Sequence, residues 1–266
     1  MTKISIIVPT LNSERYLAEC IGSICFNQHN DWECIIIDGG SKDGTLSIID
    51  EFRNSVEEKR FNHIRLVQGK DKNEPDAINK GVGMATGEVL AWLDSDDKYT
   101  PGALDMVSRY FDSYPNVQWA YGRCGIIDDG GKLCRSWMVR SKEVFQRRYT
   151  YNGLLLGDFI AQPAVFIRRK FWDEVGELNT NERLAFDYDL WLRMGKIARP
   201  GYIDGVLAYW RAHKGSETAR ALAKDMSDGL RIAIKYSPHR YDLRIFQYGI
   251  YLLAMSMYRL TGAIRG

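Results

Sequence analysis

Three carboxylates crowd four positions in Asp94-Ser95-Asp96-Asp97, directly after the apolar run Glu88-Val89-Leu90-Ala91-Trp92-Leu93. Like charges this close repel unless a cation, an array of hydrogen-bond donors or open water offsets them. A D-x-D pair on a strand end suits a divalent cation that keeps part of its water shell and shares phosphate oxygens. A solvated acidic turn capping the helix that Pro101 begins fits the same residues.

Several neighbouring signatures fail. An EF-hand loop needs Gly at its sixth position, where Tyr99 stands. The nucleophile loop of haloacid-dehalogenase phosphatases needs Thr or Val where Lys98 stands. The turn Gly39-Gly40-Ser41-Lys42-Asp43-Gly44-Thr45 invites a phosphate. It lacks the Lys that a P-loop requires after its last Gly, and Ser41 replaces a Gly of the dinucleotide fingerprint. Asp38, at the start of this turn, can accept hydrogen bonds from a base or ribose, or can cap the helix that follows.

Regular elements must hold these turns. Through the first hundred residues short β-branched runs alternate with longer amphipathic stretches, the pattern of βαβ units around a mostly parallel sheet. The patterning predicts strands at residues 4–8, 33–38, 64–68 and 88–93, with helices at 13–25, 45–57 and 75–84. Each strand runs into a polar or Gly-rich turn: Pro9-Thr10-Leu11-Asn12, Asp38-Gly39-Gly40-Ser41, Gly69-Lys70-Asp71-Lys72 and Asp94-Ser95-Asp96-Asp97. Open α/β sheets bind ligands beyond the carboxyl ends of their strands, so four such loops make one composite site unless they are ordinary surface turns.

After residue 115 the pattern changes. A hairpin is predicted from strands 117–127 and 132–137 around Asp128-Asp129-Gly130-Gly131. A strand at 164–168, helices near 170–175 and at 187–196, a strand at 202–210 and a helical stretch from 217 to near the end follow. No repeat or clear linker intervenes, so a fused two-part domain is expected, with boundaries at 1–115, 116–216 and a helical 217–266.

Composition narrows the class. Lys plus Arg number 36 against 34 Asp plus Glu, a net charge of +2 that gives no reason to expect nucleic acid. The five cysteines form no C-x-x-C pair, which speaks against a zinc site or disulfide framework and suits reduced thiols in a cytoplasmic protein. The apolar run at the N-terminus is too short for a signal peptide and reads as a first strand. The longest apolar candidate for a membrane span, residues 243–260, is interrupted by Arg244, Gln247 and Arg259. Its arginine-flanked apolar character suits either helix packing or contact with an anionic membrane surface.

In order and spacing, Pro9-Thr10-Leu11-Asn12-Ser13-Glu14, the Asp38 turn, Asp76-Ala77-Ile78-Asn79-Lys80-Gly81, Ala85-Thr86-Gly87-Glu88 and Leu93-Asp94-Ser95-Asp96-Asp97 together resemble the family-2 glycosyltransferases. The resemblance extends through Gln162-Pro163, Asp187-Tyr188-Asp189-Leu190-Trp191-Leu192-Arg193 and Trp210-Arg211-Ala212-His213, covering about residues 3–216. It implies a GT-A fold: a Rossmann-like, mostly parallel sheet flanked by helices, in which 1–115 binds a nucleotide-sugar and 116–216 the acceptor. It further implies inverting transfer, with Mg²⁺ or Mn²⁺ as cofactor, from a nucleotide-sugar to a glycan or lipid-linked glycan in surface polysaccharide synthesis.

By that resemblance Pro9, Thr10, Glu14, Asp38 and Asp76 hold base and ribose, Asp94 and Ser95 meet the nucleotide-sugar, and Asp96 binds the metal. His213 is a metal or diphosphate candidate, Arg211 a diphosphate contact, and Trp191, Tyr209 and Trp210 are sugar-stacking or core aromatics. The family's Glu-Asp base pair falls on Phe186 and Asp187, so Asp187 is the expected base and Asp189 its rival; without the resemblance, Asp187 is simply an acid in a helix's first turn. The missing Glu leaves open a non-catalytic nucleotide-sugar-binding protein. A sugar nucleotidyltransferase is the further alternative, opposed by the lack of a basic Gly-rich loop after the first strand. A cytoplasmic protein, peripheral at the inner membrane face through its C-terminal helix or assembled as a homo-oligomer, completes the expectation.

Overall fold

All seven residues of β1 (Ile4–Thr10) and of β2 (Trp32–Asp38) are buried, as strands are when helices cover both sheet faces. The protein is represented by a computed structural model that describes residues 1–54, 63–134, 145–213, 215 and 217–263. Further strands are β3 (Ile64–Gln68), β4 (Val89–Trp92), β5 (Lys98–Tyr99), β6 (Trp119–Ile127), β7 (Val165–Arg168) and β8 (Gly201–Arg211). Among the described residues they form one sheet in the order β3-β2-β1-β4-β7-β6-β8-β5. β1 pairs in parallel with both β2 and β4, β2 with β3, and β6 with β8; β7 joins the two parallel regions by antiparallel pairing with β4 and β6.

The helices are α1 (Leu17–Cys25), α2 (Thr45–Asn54), α3 (Glu74–Met84), α4 (Ala103–Ser113), α5 (Tyr151–Leu156), α6 (Arg169–Val175), α7 (Phe186–Ile197), α8 (Glu217–Tyr236) and α9 (Tyr241–Ala263). Because strand side chains alternate in direction, β1 divides its apolar residues between two cores. Ile4, Ile6 and Val8 join α1, α2 and α4 on one face, while Ile7 joins α3, α5, α6 and α7 on the other. The chain leaves β1 for β2 on one side and returns to β4 on the other, which opens a crevice at the carboxyl ends of β1 and β4.

Several boundaries differ from expectation. The first helix starts at Leu17 rather than residue 13, because Ser13 to Tyr16 form a turn in which the Ser13 carbonyl accepts the N–H groups of Tyr16 and Leu17. The predicted hairpin is present at its base, where Ile127 bridges Leu133, but the principal partners of β6 are β7 and β8. Its residues 135–137, like residues 55–57 of the second predicted helix, lie outside the described residues. Two short elements, β5 and α5, escape periodicity analysis. The C-terminal helical stretch is divided at Ser237-Pro238, where proline supplies no N–H to continue α8.

Close packing of α3 on the sheet leaves room for glycine alone at one position. A Cβ on Gly81 would lie 2.5 Å from Ile7 Cγ2, whereas one on exposed Gly83 would meet nothing within 4 Å. Gly81→Ala should therefore cost about 1–3 kcal/mol in denaturant unfolding through overpacking. Gly83→Ala, in the same helix, should be neutral or stabilise by up to about 1 kcal/mol.

Candidate active site

The end of β4 is pinned by Leu93 donating its N–H to the Ile7 carbonyl at 2.9 Å, and Asp97 then closes a turn by donating to the Asp94 carbonyl at 2.9 Å. This geometry brings one carboxylate oxygen from each of Asp94, Asp96 and Asp97 within 4.8 Å of one another. His213 Nε2 lies 2.8 Å from Asp96 Oδ2. Asp97 is buried; its Oδ1 accepts the Arg211 backbone N–H at 2.8 Å, while its Oδ2 has no hydrogen-bond partner among the described residues. Burial, with the charges of Asp96 and Asp94, pushes the Asp97 carboxyl well above the usual carboxylate range. A hard oxygen donor set, crowded like charges and an unsatisfied buried oxygen fit a divalent cation.

Arg211 does not face the crevice as a diphosphate contact must. Its side chain is 0% exposed. Nε donates to the Asp96 carbonyl at 2.8 Å, Nη1 reaches the carbonyls of Asp128 and Asp129 at 3.4 and 3.3 Å, and Nη2 donates to Glu19 Oε2 at 2.9 Å. The guanidinium also stands 4.6 Å over the Tyr16 ring, which in turn lies 5.0 Å from the His213 ring. Arg211 is thus a buried brace behind the acidic turn. Tyr16, Glu19 and Asp129 complete the brace: Asp129 accepts from the Tyr16 hydroxyl and from Arg15, and Glu19 also pairs with Lys98 at 2.9 Å. Lys98 and Arg211 hold the Glu19 carboxyl below its ordinary range. Sequence reasoning missed these residues because their contacts span 79 to 192 positions.

The loops after β1 and β2 are laced together beside this turn. Asn12, at φ 52°, donates its N–H to Ser41 Oγ at 2.8 Å and accepts the Lys42 N–H on Oδ1 at 2.9 Å. The Gly44 N–H donates to Glu14 Oε2 at 2.6 Å, so Glu14 ties the loops rather than standing apart. Thr10 pairs in register with Asp38, and its buried Oγ1 lacks a hydrogen-bond partner among the described residues. Pro9, one residue earlier, pairs with Ile37. Asp38 is buried and turns its carboxylate onto the N–H groups of Gly40 and Ser41, both at 3.1 Å from Oδ2, so it braces the turn, while Asp43 accepts the N–H of Thr45 at the start of α2. The Ser95 hydroxyl donates to Ser13 Oγ at 2.8 Å, linking the acidic turn to the β1 loop. Asp76 accepts the Lys72 N–H at 2.9 Å and pairs with Lys80 at 3.0 Å, contacts that lower its carboxyl pKa.

The two candidate bases separate clearly. Asp189 is buried, with Oδ2 accepting from Arg193 Nε at 3.0 Å and Oδ1 from Tyr236 at 2.9 Å and Lys235 at 3.2 Å. Oδ1 joins α7 to α8, and Oδ2 is held within α7 by Arg193. Asp187 is partly exposed, its Oδ1 accepting the Tyr188 N–H at 2.7 Å. Desolvation, then the charge of Asp158, drives its carboxyl well above the ordinary range, and the charge of Asp94 contributes as well. Phe186, where the family has Glu, is buried in the core. Trp191 is likewise core, stacked between Trp92 at 5.6 Å and Trp119 at 6.1 Å, and is not available to a sugar ring. Tyr209 and Trp210 are half-buried on β8.

A Rossmann-like sheet whose switch-point strand ends in a D-x-D turn, with a helix-borne acid nearby, is the GT-A arrangement. Residues 5–176 match the family described as Glycosyl transferase family 2, and the chain belongs to that family. A PGL/p-HBAD biosynthesis glycosyltransferase of Mycobacterium tuberculosis is 31% identical over 190 residues, 71% of this chain and 68% of that protein. An uncharacterized glycosyltransferase of Rickettsia conorii is 27% identical over 218 residues, 80% of this chain and 34% of that one. Among solved structures, S. aureus TarS 1-349 in complex with UDP aligns with TM-score 0.65 at 18% identity, covering 88% of this chain and 65% of that one. The mannosyltransferase PcManGT from Pyrobaculum calidifontis, in complex with GDP-Man and Mn²⁺, aligns with TM-score 0.63 at 17% identity, covering 99% and 80%. These likenesses agree in the fold.

Removing the buried brace tests its part in the site. Arg211→Gln should cost roughly 3 kcal/mol, since several buried carbonyls lose their donor. Calorimetry should show the lowered melting temperature, and cation binding at the acidic turn should weaken with it.

Proposed function

We propose that this chain transfers a sugar, with inversion, from a nucleotide-sugar donor, a uridine diphosphate sugar, to a hydroxyl of a glycan or lipid-linked glycan. The observation that carries this reading is the Asp94-Asp96-Asp97 cluster, with His213 against Asp96, at the carboxyl end of the switch-point strand; the charge of Asp94 is also among the causes that raise the Asp187 carboxyl. Relatives named as glycosyltransferases and neighbours solved with UDP or GDP-Man and Mn²⁺ support it.

The loops after β1 and β2, carrying Thr10, Glu14 and Asp38, bound the space for the base and ribose, with Asp76 beside them. Asp94 and Ser95 meet the sugar nucleotide, and Asp96, with Asp97 and His213, would hold Mg²⁺ or Mn²⁺. When bound, the cation neutralises charge on the departing diphosphate. Asp187 accepts the proton of the acceptor hydroxyl as its oxygen bonds to the anomeric carbon and the bond from that carbon to the diphosphate oxygen breaks. A single in-line displacement inverts the centre. An elevated carboxyl pKa suits this base, because proton transfer is most effective when the pKa approaches the working pH. Arg211, behind the turn, keeps the Asp96 backbone in place.

Asp187→Asn should lower turnover by about 10²–10⁴ while donor binding persists; normal turnover would move the base elsewhere. The base must be ionised, so activity should climb as pH rises through its raised pKa. Asp158→Asn removes the like charge that helps raise it, so the acid limb of the kcat/KM profile should move to lower pH. In a separate test, Asp96→Ala should abolish the rise in melting temperature that Mn²⁺ with UDP gives the parent protein. Phe186 in place of Glu also fits a donor-binding protein without transfer, and binding with neither transfer nor hydrolysis across an acceptor panel would select that reading.

A further inference from the structure

Exposed large apolar side chains concentrate on α9 among the described residues. Tyr241, Ile245, Phe246, Tyr248, Leu252 and Leu253 are all exposed, with Ile245 at 75%, Leu253 at 63% and Leu252 at 62%. At helical spacing Tyr241, Ile245, Tyr248 and Leu252 form one stripe, and Phe246 and Leu253 widen it on one side. The opposite face packs: Leu243 and Gln247 are buried, and Gln247 Nε2 donates to the Leu155 carbonyl at 2.9 Å. The helix is therefore anchored by one face and presents the other, far more apolar, to its surroundings. Contiguous exposed apolar area of this kind marks an interaction surface.

Charge identifies the partner. From residue 239 onward the sequence holds four arginines, Arg240, Arg244, Arg259 and Arg265, against one acid, Asp242, a surplus that exceeds the +2 of the whole chain. The remainder of the protein is thus slightly acidic; at the start of the stripe Arg240 pairs with Asp242 at 2.8 Å and the Arg244 guanidinium stands 4.9 Å over the Tyr241 ring. The positive surplus of this segment of the sequence disfavours a face-to-face pair of copies, whereas an anionic lipid surface complements both the apolar stripe and the cationic segment. The helix is too interrupted to span: no described helix is long and apolar enough to cross a membrane.

We propose that α9 lies in the interface of an anionic bilayer, its Ile245, Phe246, Leu252 and Leu253 side entering the boundary between headgroups and chains. The anchored face also orients the molecule. Gln247 grips α5 at Leu155, and the adjacent Leu154 carbonyl accepts the Tyr188 hydroxyl at 2.6 Å. Tyr188 directly follows Asp187, so α5 connects the bilayer-facing helix to the helix of the proposed base. Resting on the functional reading above, this favours an acceptor carried by a lipid; the docking itself does not depend on that reading.

The test is co-sedimentation of the whole chain with vesicles of phosphatidylcholine alone or mixed with phosphatidylglycerol, at low and high salt, without any assay of transfer. Binding should appear with phosphatidylglycerol, weaken with salt, and fall at least about tenfold in the Ile245→Ser/Leu252→Ser/Leu253→Ser variant. Because those side chains are exposed, the variant should keep its melting temperature and its UDP-induced stabilisation. Equal sedimentation of parent and variant would overturn the proposal. So would failure of the parent to bind anionic vesicles, or a dimer seen by light scattering that the variant abolishes while vesicles bind neither protein.

Discussion

Repulsion among Asp94, Asp96 and Asp97 is the constraint around which the site is arranged. Three carboxylates converging at a strand end oppose folding unless neighbouring groups offset their charge. The protein offsets it in layers. A backbone N–H from Arg211 satisfies one oxygen of Asp97, His213 sits against Asp96, and the guanidinium of Arg211 lies behind the turn on the carbonyl of Asp96. None of these neutralises the cluster from the open side. The unsatisfied Asp97 oxygen marks where a cation would complete it.

The same buried guanidinium explains why the second half of the chain is inseparable from the first. Arg211 ends β8, Glu19 belongs to α1, and Asp128 and Asp129 follow β6, so a single side chain joins the first part of the chain to the second. A buried arginine left without such partners would be strongly unfavourable. The aromatic stack of Trp92, Trp191 and Trp119 performs a related task on the opposite sheet face, binding α7 to strands of both halves. The position of Asp187 on α7 thereby depends on apolar packing several residues away from it.

Much of this was legible in the chain. Strands β1 to β4 and helices α2 and α3 fall close to their predicted places, because period-2 burial and helix periodicity are local properties. Candidate residues at strand ends were legible for the same reason: a polar turn after an apolar run marks the carboxyl edge of a sheet. The short β5 and α5 carry too few residues to show a period. For Trp191 the core was the favoured reading and sugar stacking its rival, and its neighbours place it in the core. Arg211 illustrates the limit most clearly, since an arginine beside a ligand-bearing strand reads as a phosphate contact until its burial is seen.

By itself, then, the sequence determined the α/β class, the polar turns at the sheet's carboxyl edge and the D-x-D turn. These follow from residue type and spacing within a few dozen positions. Only the tertiary structure distinguished the surroundings of Asp187 from those of Asp189, buried the Arg211 side chain among its partners, and brought Tyr16, Glu19 and Asp129 around it. Burial and the pairing of distant charges decide those questions, and both arise only when segments far apart in sequence are packed against one another.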